Sequence, residues 1–291
     1  MLISIIVPVA REGEDLHDRI RLLDNMLSSI ASTHNISYEI LLVTDVPHKP
    51  TLKAMMRLAK QGIARSFLLT RRIGKGGSVK NVVPYARGDV IVLLDADIPI
   101  RRDALSKALA TIINKNLDLL VANRIHRPHG LIRRILSIAY NNLVRLLFRT
   151  GLRDHQAGFK ILSRRAALIL TRFTRTDGLG YDTELIVWAK KHKLSYHAMD
   201  MIWHEKREQS TIPPFRAILT MLADLIVLRL LTIGRKYVAL QRQKVGRMIE
   251  LPALKVIDQE HATAIKVSGL KRILFNMLRK IYLIIAFSKR H

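Results

Sequence analysis

Five short, almost unbroken apolar runs punctuate the first 123 residues: ISIIVPV (3–9), YEILLVT (38–44), ARSFLLT (64–70), DVIVLLD (89–95) and DLLVAN (118–123). Runs of this length without polar alternation belong to strands covered on both faces. Between them LHDRIRLLDNMLSSI (16–30), TLKAMMRLAKQ (51–61), SVKNVVPYA (78–86) and ALSKALATIINK (104–115) carry helical spacing, with Pro84 placed to end or kink the third. This alternation predicts an α/β fold, a mostly parallel sheet flanked by helices, whose ligands gather at the carboxyl ends of the strands.

A chain of 291 residues has room for one large domain, or for an α/β domain with an appendage. The division is expected near residue 212: an α/β domain over 1–212, and a basic, amphipathic helical region over 213–291. Lys and Arg total 49 against 23 Asp and Glu, a net charge of +26, so the surface must meet something anionic: nucleic acid, a membrane face or a phosphorylated substrate. With no cysteine, disulfides and thiolate metal sites are excluded. The opening MLISIIVPVARE lacks a basic stretch ahead of its apolar run and reads as a strand, not a signal peptide. The longest apolar stretch, 217–233, contains Asp224 and Arg229, which argues against a spanning helix. Segments 213–240 and 270–287 instead combine Leu, Ile, Met and Phe with Arg and Lys, the pattern of helices lying in an anionic headgroup layer or packing on a partner.

Between 124 and 175 there are 12 Lys and Arg and a single acid, Asp154. The 131–149 stretch is helical in pattern and places Arg133, Ser137 and Asn141 on one polar stripe. In DVIVLLDADIP, strand periodicity would point Asp95 and Asp97 the same way at a strand's carboxyl end. Two adjacent carboxylates repel unless a cation lies between them, and a hard divalent ion bound to a diphosphate suits the pair. An Asp-x-Asp alone is equally a strand-end turn. RRIGKGGSVKN (71–81) combines four cations with Gly74, Gly76 and Gly77 ahead of a helix, a setting for an anion or a solvated basic turn. It lacks the Lys-Ser/Thr after the last glycine that a Walker A loop requires. Asp182 and Glu184 open a helix as sugar ligands or as caps, and His155 is the one histidine flanking a candidate segment.

The ordered set IIVPVARE, YEILLVTD, GKGGSVK, ARGDVIVLLDADI, VANR, DHQAGFKILSRRAA, YDTELIVWA and MIWHEK resembles family 2 glycosyltransferases of the GT-A fold, over about residues 3–230. Within that family it is most similar to dolichyl-phosphate glucosyltransferases and dolichyl-phosphate mannose synthases. The resemblance implies that Pro8, Glu12 and Asp45 cradle the nucleotide, that the Lys75, Gly76, Gly77 and Lys80 loop lies beside the diphosphate, and that Asp95 and Asp97 hold Mg²⁺ or Mn²⁺. It further implies that Arg124, Arg133 and Ser137 meet a lipid phosphate, while Asp154, Gln156 and Gly158 lie near the transferred sugar. Two departures are visible. Ala10 and Arg11 stand where relatives usually have Tyr-Asn, and Thr44-Asp45-Val46-Pro47 stands where they commonly read Asp-Asp-Gly-Ser. Pro99, GKGG and HQAGFK tilt the resemblance to the glucosyl side, with UDP-glucose the favoured donor and GDP-mannose second.

The expected activity is inverting transfer of a hexose from a nucleotide diphosphate sugar to a polyprenyl or dolichyl phosphate, by a peripheral or monotopic enzyme at the cytoplasmic face of an anionic membrane. Polysaccharide or glycolipid acceptors are the nearest alternative. A rival of another class is a nucleic-acid-binding protein, which the charge permits but the 5% aromatic content and lack of any zinc-finger or RNP-like motif disfavour. No nucleic-acid partner is expected. A third is a catalytically inactive relative that organises a membrane complex.

Overall fold

The computed structural model describes residues 1–125, 131–203, 214–233, 241–251 and 255–263. Its first half alternates as the sequence predicts: β1 (Leu2–Val9), α1 (Asp15–His34), β2 (Ser37–Thr44), α2 (Lys49–Lys60), β3 (Arg65–Leu69), α3 (Lys75–Val82), β4 (Val90–Leu93), α4 (Arg102–Asn114) and β5 (Leu119–Ile125). Then come α5 (Leu131–Phe148), β6 (Lys160–Ser163), α6 (Arg164–Phe173), α7 (Tyr181–Lys191), β7 (Tyr196–Ile202), α8 (Pro214–Ile233), β8 (Gln241–Leu251) and β9 (Lys255–Thr263).

One sheet runs in the order β7-β5-β6-β4-β1-β2-β3-β8-β9. Its centre is parallel: β1 pairs with β2 (Ile5 opposite Ile40) and with β4 (Ile5 opposite Val92), and β2 pairs with β3. Ile3, Ile5, Ile6 and Val7 are fully buried, because consecutive side chains of a strand point to opposite faces and both faces are covered. Each such side chain contributes about 1.5–3 kcal/mol of burial. On α1 the buried residues Leu16, Ile20, Leu23, Leu27 and Ile30 recur every three or four positions, and Asn35 ends the helix in the left-handed region (φ 50°).

Direction breaks at β6, which lies antiparallel between β4 and β5 and pairs with both. That insertion brings Lys160, the first residue of β6, opposite Leu93, the last of β4. Within the stretch expected to be helical after residue 212, α8 forms, but 241–251 and 255–263 are strands. β8 pairs antiparallel with β3, Ser66 opposite Leu251; β-branched Val245, Ile249, Val256 and Ile257 favour that conformation. The 270–287 segment lies outside the described residues.

The chain divides into two compact units. One holds Met1–Pro128, Asp154–Glu208 and Val245–Gln259. The other holds His129–Arg153, Gln209–Lys244 and Glu260–His291, and in it α5 packs on α8, burying Tyr140, Val144 and Phe148 of α5 and Met221, Leu225, Leu228 and Leu231 of α8. Its α5 also leaves Ile135, Ile138 and Leu146 exposed, beside exposed Arg134 and Arg145. Among the described residues, no helix is long and apolar enough to cross a membrane.

Candidate active site

Asp95 and Asp97 are not on a strand. β4 stops at Leu93, and the Ile98 amide donates to the Asp95 carbonyl (3.0 Å), closing a turn over 95–98. The strand-period argument for their common direction is therefore replaced by another. Leu94, Ala96 and Ile98 are buried in the core, which leaves Asp95 and Asp97 as the half-buried residues between them. Ile98 adopts φ 48°, a left-handed conformation that costs a β-branched residue about 1–3 kcal/mol and that its burial maintains.

From Asp95 a chain of alternating charge leads inward. Lys75, at the start of α3, places Nζ 2.8 Å from Asp95 Oδ1 and 3.0 Å from Asp182 Oδ2. Asp182, on the first turn of α7, accepts through Oδ1 from Lys160 Nζ (2.7 Å), and Lys160 also donates to the Ala157 carbonyl (2.5 Å). Burial alone would neutralise each group. For Asp182, Lys160 and Lys75 outweigh that burial and hold its carboxyl below the ordinary aspartate value. Burial opposes the charge on Lys75 too, yet Asp182 and Asp95 push its pKa up. For Lys160, burial dominates and lowers the pKa despite Asp182.

Gly158 fits directly beneath Asp95: an added Cβ would collide with the Asp95 carboxylate. Two residues earlier, Gln156 is half-buried and its backbone N–H donates to Asp154 Oδ1 (3.1 Å). Asp154 is gripped by Arg124 of β5 in a two-point fork, Nε to Oδ2 at 2.7 Å and Nη2 to Oδ1 at 3.1 Å. Arg124 also lies over the Trp203 ring, 5.4 Å from its centroid. Arg124, which the resemblance assigns to a lipid phosphate, thus already has its Nε and Nη2 on Asp154. His155 is fully buried.

The glycine-rich loop is tied down by protein. Gly76 and Gly77 donate their amides to the Asp177 carbonyl (2.9 and 3.3 Å), and a Cβ at Gly76 would meet Tyr181 and the Thr176 carbonyl at 2.6–2.7 Å. What approaches this glycine backbone closely is the 176–181 segment. Lys80 joins the same clasp through Asp177 Oδ1 (2.5 Å) and the Arg175 carbonyl (3.2 Å). Asp45 accepts from the amides of Ile73 and Gly74 (2.7 and 2.5 Å), fixing the loop from the other side, and Gly74 takes φ 98°, which its missing Cβ permits. Glu12 is buried against Arg19 (3.2 Å), and Pro8 sits near the end of β1 opposite Val43.

Neither acid of α7 caps its helix. Asp182 serves the lysines, while Glu184 accepts from the amides of Arg175 and Thr176 (2.9 and 2.7 Å) and from Trp188 Nε1 (2.9 Å). Ser137 lies on α5, where Asn141 donates to its carbonyl (2.9 Å); the Arg133 side chain lies outside the described residues. Sequence reasoning passed over Lys160 and Trp203. The signal for Lys160 was a lone cation opening the apolar run KILS.

Two carboxylates in a turn, one already holding an ammonium at 2.8 Å, have the hard oxygen donors a divalent cation takes. Among the described residues no third His, Asp or Glu joins them in a cluster, so substrate oxygens and water would complete its shell. The Glycosyl transferase family 2 model matches residues 4–174, the span that contains the turn, the glycine-rich loop and Gly158. The chain belongs to glycosyl transferase family 2. This family 2 chain is therefore a glycosyltransferase. It is 29% identical to a dolichyl-phosphate beta-glucosyltransferase of Drosophila melanogaster over 244 residues, covering 78% of this chain and 74% of that one. With glycosyltransferase AglD of Haloferax volcanii it shares 28% over 211 residues, 70% of this chain but only 33% of AglD, so it spans a third of that relative. Similar solved structures include mannosyl-3-phosphoglycerate synthase from Rubrobacter xylanophilus (TM-score 0.62, 16% identity, 91% of this chain and 88% of that one). Another is glucosyl-3-phosphoglycerate synthase from Mycobacterium tuberculosis in complex with Mn²⁺, UDP and glucosyl-3-phosphoglycerate (TM-score 0.61, 14%, 94% and 91%). At these identities the structural likeness shows the fold.

Proposed function

We propose that this glycosyltransferase, a GT-A enzyme, transfers glucose from UDP-glucose to a polyprenyl or dolichyl phosphate at a membrane surface, with inversion at the anomeric carbon. The observation that carries the reading is the commitment of the buried carboxylates. Asp154 is forked by Arg124, Asp182 is held by two lysines, and Glu184 accepts three N–H groups. A hydroxyl acceptor needs a base to remove its proton. A phosphomonoester already carries about 1.5–2 negative charges at neutral pH and attacks as it stands. Among the described residues, a site whose buried Asp154, Asp182 and Glu184 are spent on cations and amides suits the second acceptor. The names of the Drosophila relative and of a Saccharomyces cerevisiae one, both dolichyl-phosphate beta-glucosyltransferases, support the same choice.

In this reading Asp95 and Asp97 hold Mg²⁺ or Mn²⁺, whose chemistry is to offset charge growing on the leaving diphosphate. Lys75 adds an ammonium beside that leaving group, and Asp45 orders the glycine-rich loop that borders it. Arg124, fixed by Asp154 and Trp203, sets positive potential where the acceptor phosphate arrives. Asp154 and Gln156 then act by positioning, since Asp154 has no exposed carboxylate surface. On α5, Ile135, Ile138 and Leu146 with Arg134 and Arg145 present the mixed apolar and basic face that a headgroup layer favours, and +26 suits an anionic surface.

The donor is tested by thermal unfolding in the presence of Mn²⁺ and single nucleotide sugars. A ligand at about 100 times its Kd adds roughly 2.7 kcal/mol to the native state, so UDP-glucose should raise Tm by several degrees. A rise with GDP-mannose alone would reassign the donor, and no rise with any nucleotide sugar would contradict the reading.

A further inference from the structure

We propose that Lys75 is the resident counter-cation of Asp95, and that a divalent cation entering the Asp95–Asp97 turn displaces the Lys75 ammonium onto Asp182. This rests on the assignment of that turn as the metal site and concerns what occupies it beforehand.

The geometry is that of a relay with a built-in second seat. Lys75 Nζ stands between two carboxylates, 2.8 Å from Asp95 Oδ1 and 3.0 Å from Asp182 Oδ2. An ammonium and a divalent cation cannot both sit against one Asp95 carboxylate without strong repulsion, and Gly158 packed beneath that carboxylate restricts where it can turn. Asp182 is buried and has a second cation, Lys160, on its other oxygen, so it stays ionised and stays in place whether or not Lys75 leans on it. The Lys75 side chain is 28% exposed and Asp95 35%, which leaves the outer half of the relay room to move while the inner half does not. Lys75 also starts α3, whose first turn is clasped to Asp177, so its backbone is fixed and only the flexible four-carbon stem swings.

The consequence is a coupling between metal and diphosphate. Without donor, the protein supplies its own cation and metal binding is weak. When an anionic diphosphate arrives with the ion, the released ammonium gains a new anion, and the competition against the metal disappears. Metal and donor therefore reinforce one another's binding by reciprocal linkage.

The test measures Mn²⁺ affinity of the full-length protein without nucleotide, from the free-ion electron paramagnetic resonance signal, for wild type, Lys75→Met, Lys75→Arg and Asp95→Asn. Removing the internal cation should tighten Mn²⁺ binding by about three- to tenfold in Lys75→Met, the scale of a partly solvated ion pair. Lys75→Arg, which keeps the charge, should stay near wild type, and Asp95→Asn should lose the site. Circular dichroism shows which variants are folded; if Lys75→Met is not, Lys75→Gln, which also removes the charge, makes the same comparison. Unchanged or weaker Mn²⁺ binding in folded Lys75→Met overturns the counter-cation role while leaving the metal site standing. Wild-type binding that is indifferent to Asp95→Asn overturns both.

Discussion

Asp182→Asn is expected to destabilise the protein by about 3–5 kcal/mol at neutral pH, the cost of leaving a buried charge without its partner. Lys160 is fully buried, and beyond Asp182 its ammonium has the Ala157 carbonyl (2.5 Å). An asparagine can accept from one of the two lysines but must turn an N–H₂ donor on the other. Chemical denaturation of wild type, Asp182→Asn, Lys160→Met and the double variant forms the test. Removing both members should restore much of the loss, because an apolar replacement of a buried pair is far less costly than an orphaned ion. The pH dependence has a defined sign. The folded pKa of Asp182 is depressed below 3.8, so its contribution is fully present above the unfolded value and is lost as pH falls through the folded one. The part of the gap between wild type and Asp182→Asn that comes from the carboxylate should close below about pH 4. A gap that closes already between pH 6 and 7 would contradict the ion-pair account.

Gly158→Ala is expected to lower turnover by about 10²-fold or more with little loss of secondary structure. A methyl group here needs the space of the Asp95 carboxylate. Asp95 must rotate off its position or the 154–158 segment must retreat, and retreat drags on the Arg124–Asp154 fork. Displacements of this kind, about 1 Å, cost two orders of magnitude where orientation supplies the rate. Gly178→Ala is the control: nothing lies within 4 Å of its added Cβ, and it should retain near-normal activity. Equal activity in the two variants would mean that Asp95 does not need its present place.

The parallel centre of the sheet was legible because strands buried on both faces leave an unmistakable trace, as Ile3 to Val9 and Tyr38 to Thr44 do. Its completion was not. Nothing in KILS says that β6 runs antiparallel between β4 and β5, since strand order is set by packing far along the chain. α3 begins at Lys75, three residues before helical spacing suggested, and runs through Gly76 and Gly77 against their propensity, because the Asp177 carbonyl takes both amides. The pairing of Asp95 with Lys75 joins residues twenty apart, and that of Lys75 with Asp182 residues over a hundred apart. The side chains were visible in the sequence, but their meeting was not. Resemblance named Asp154 and Arg124 for different ligands; the structure binds them to each other.

On the proposed function, this site passes a hexose to a phosphate already ionised by its own chemistry. The direct measurement is incubation of the purified full-length protein with radiolabelled UDP-glucose, Mn²⁺ and dolichyl phosphate in anionic vesicles, alongside Asp97→Ala. The prediction is a labelled lipid that releases its glucose in mild acid, formed by wild type and absent from Asp97→Ala. Label transferred only to a hydroxyl acceptor, or to no lipid with any common nucleotide sugar, would contradict it.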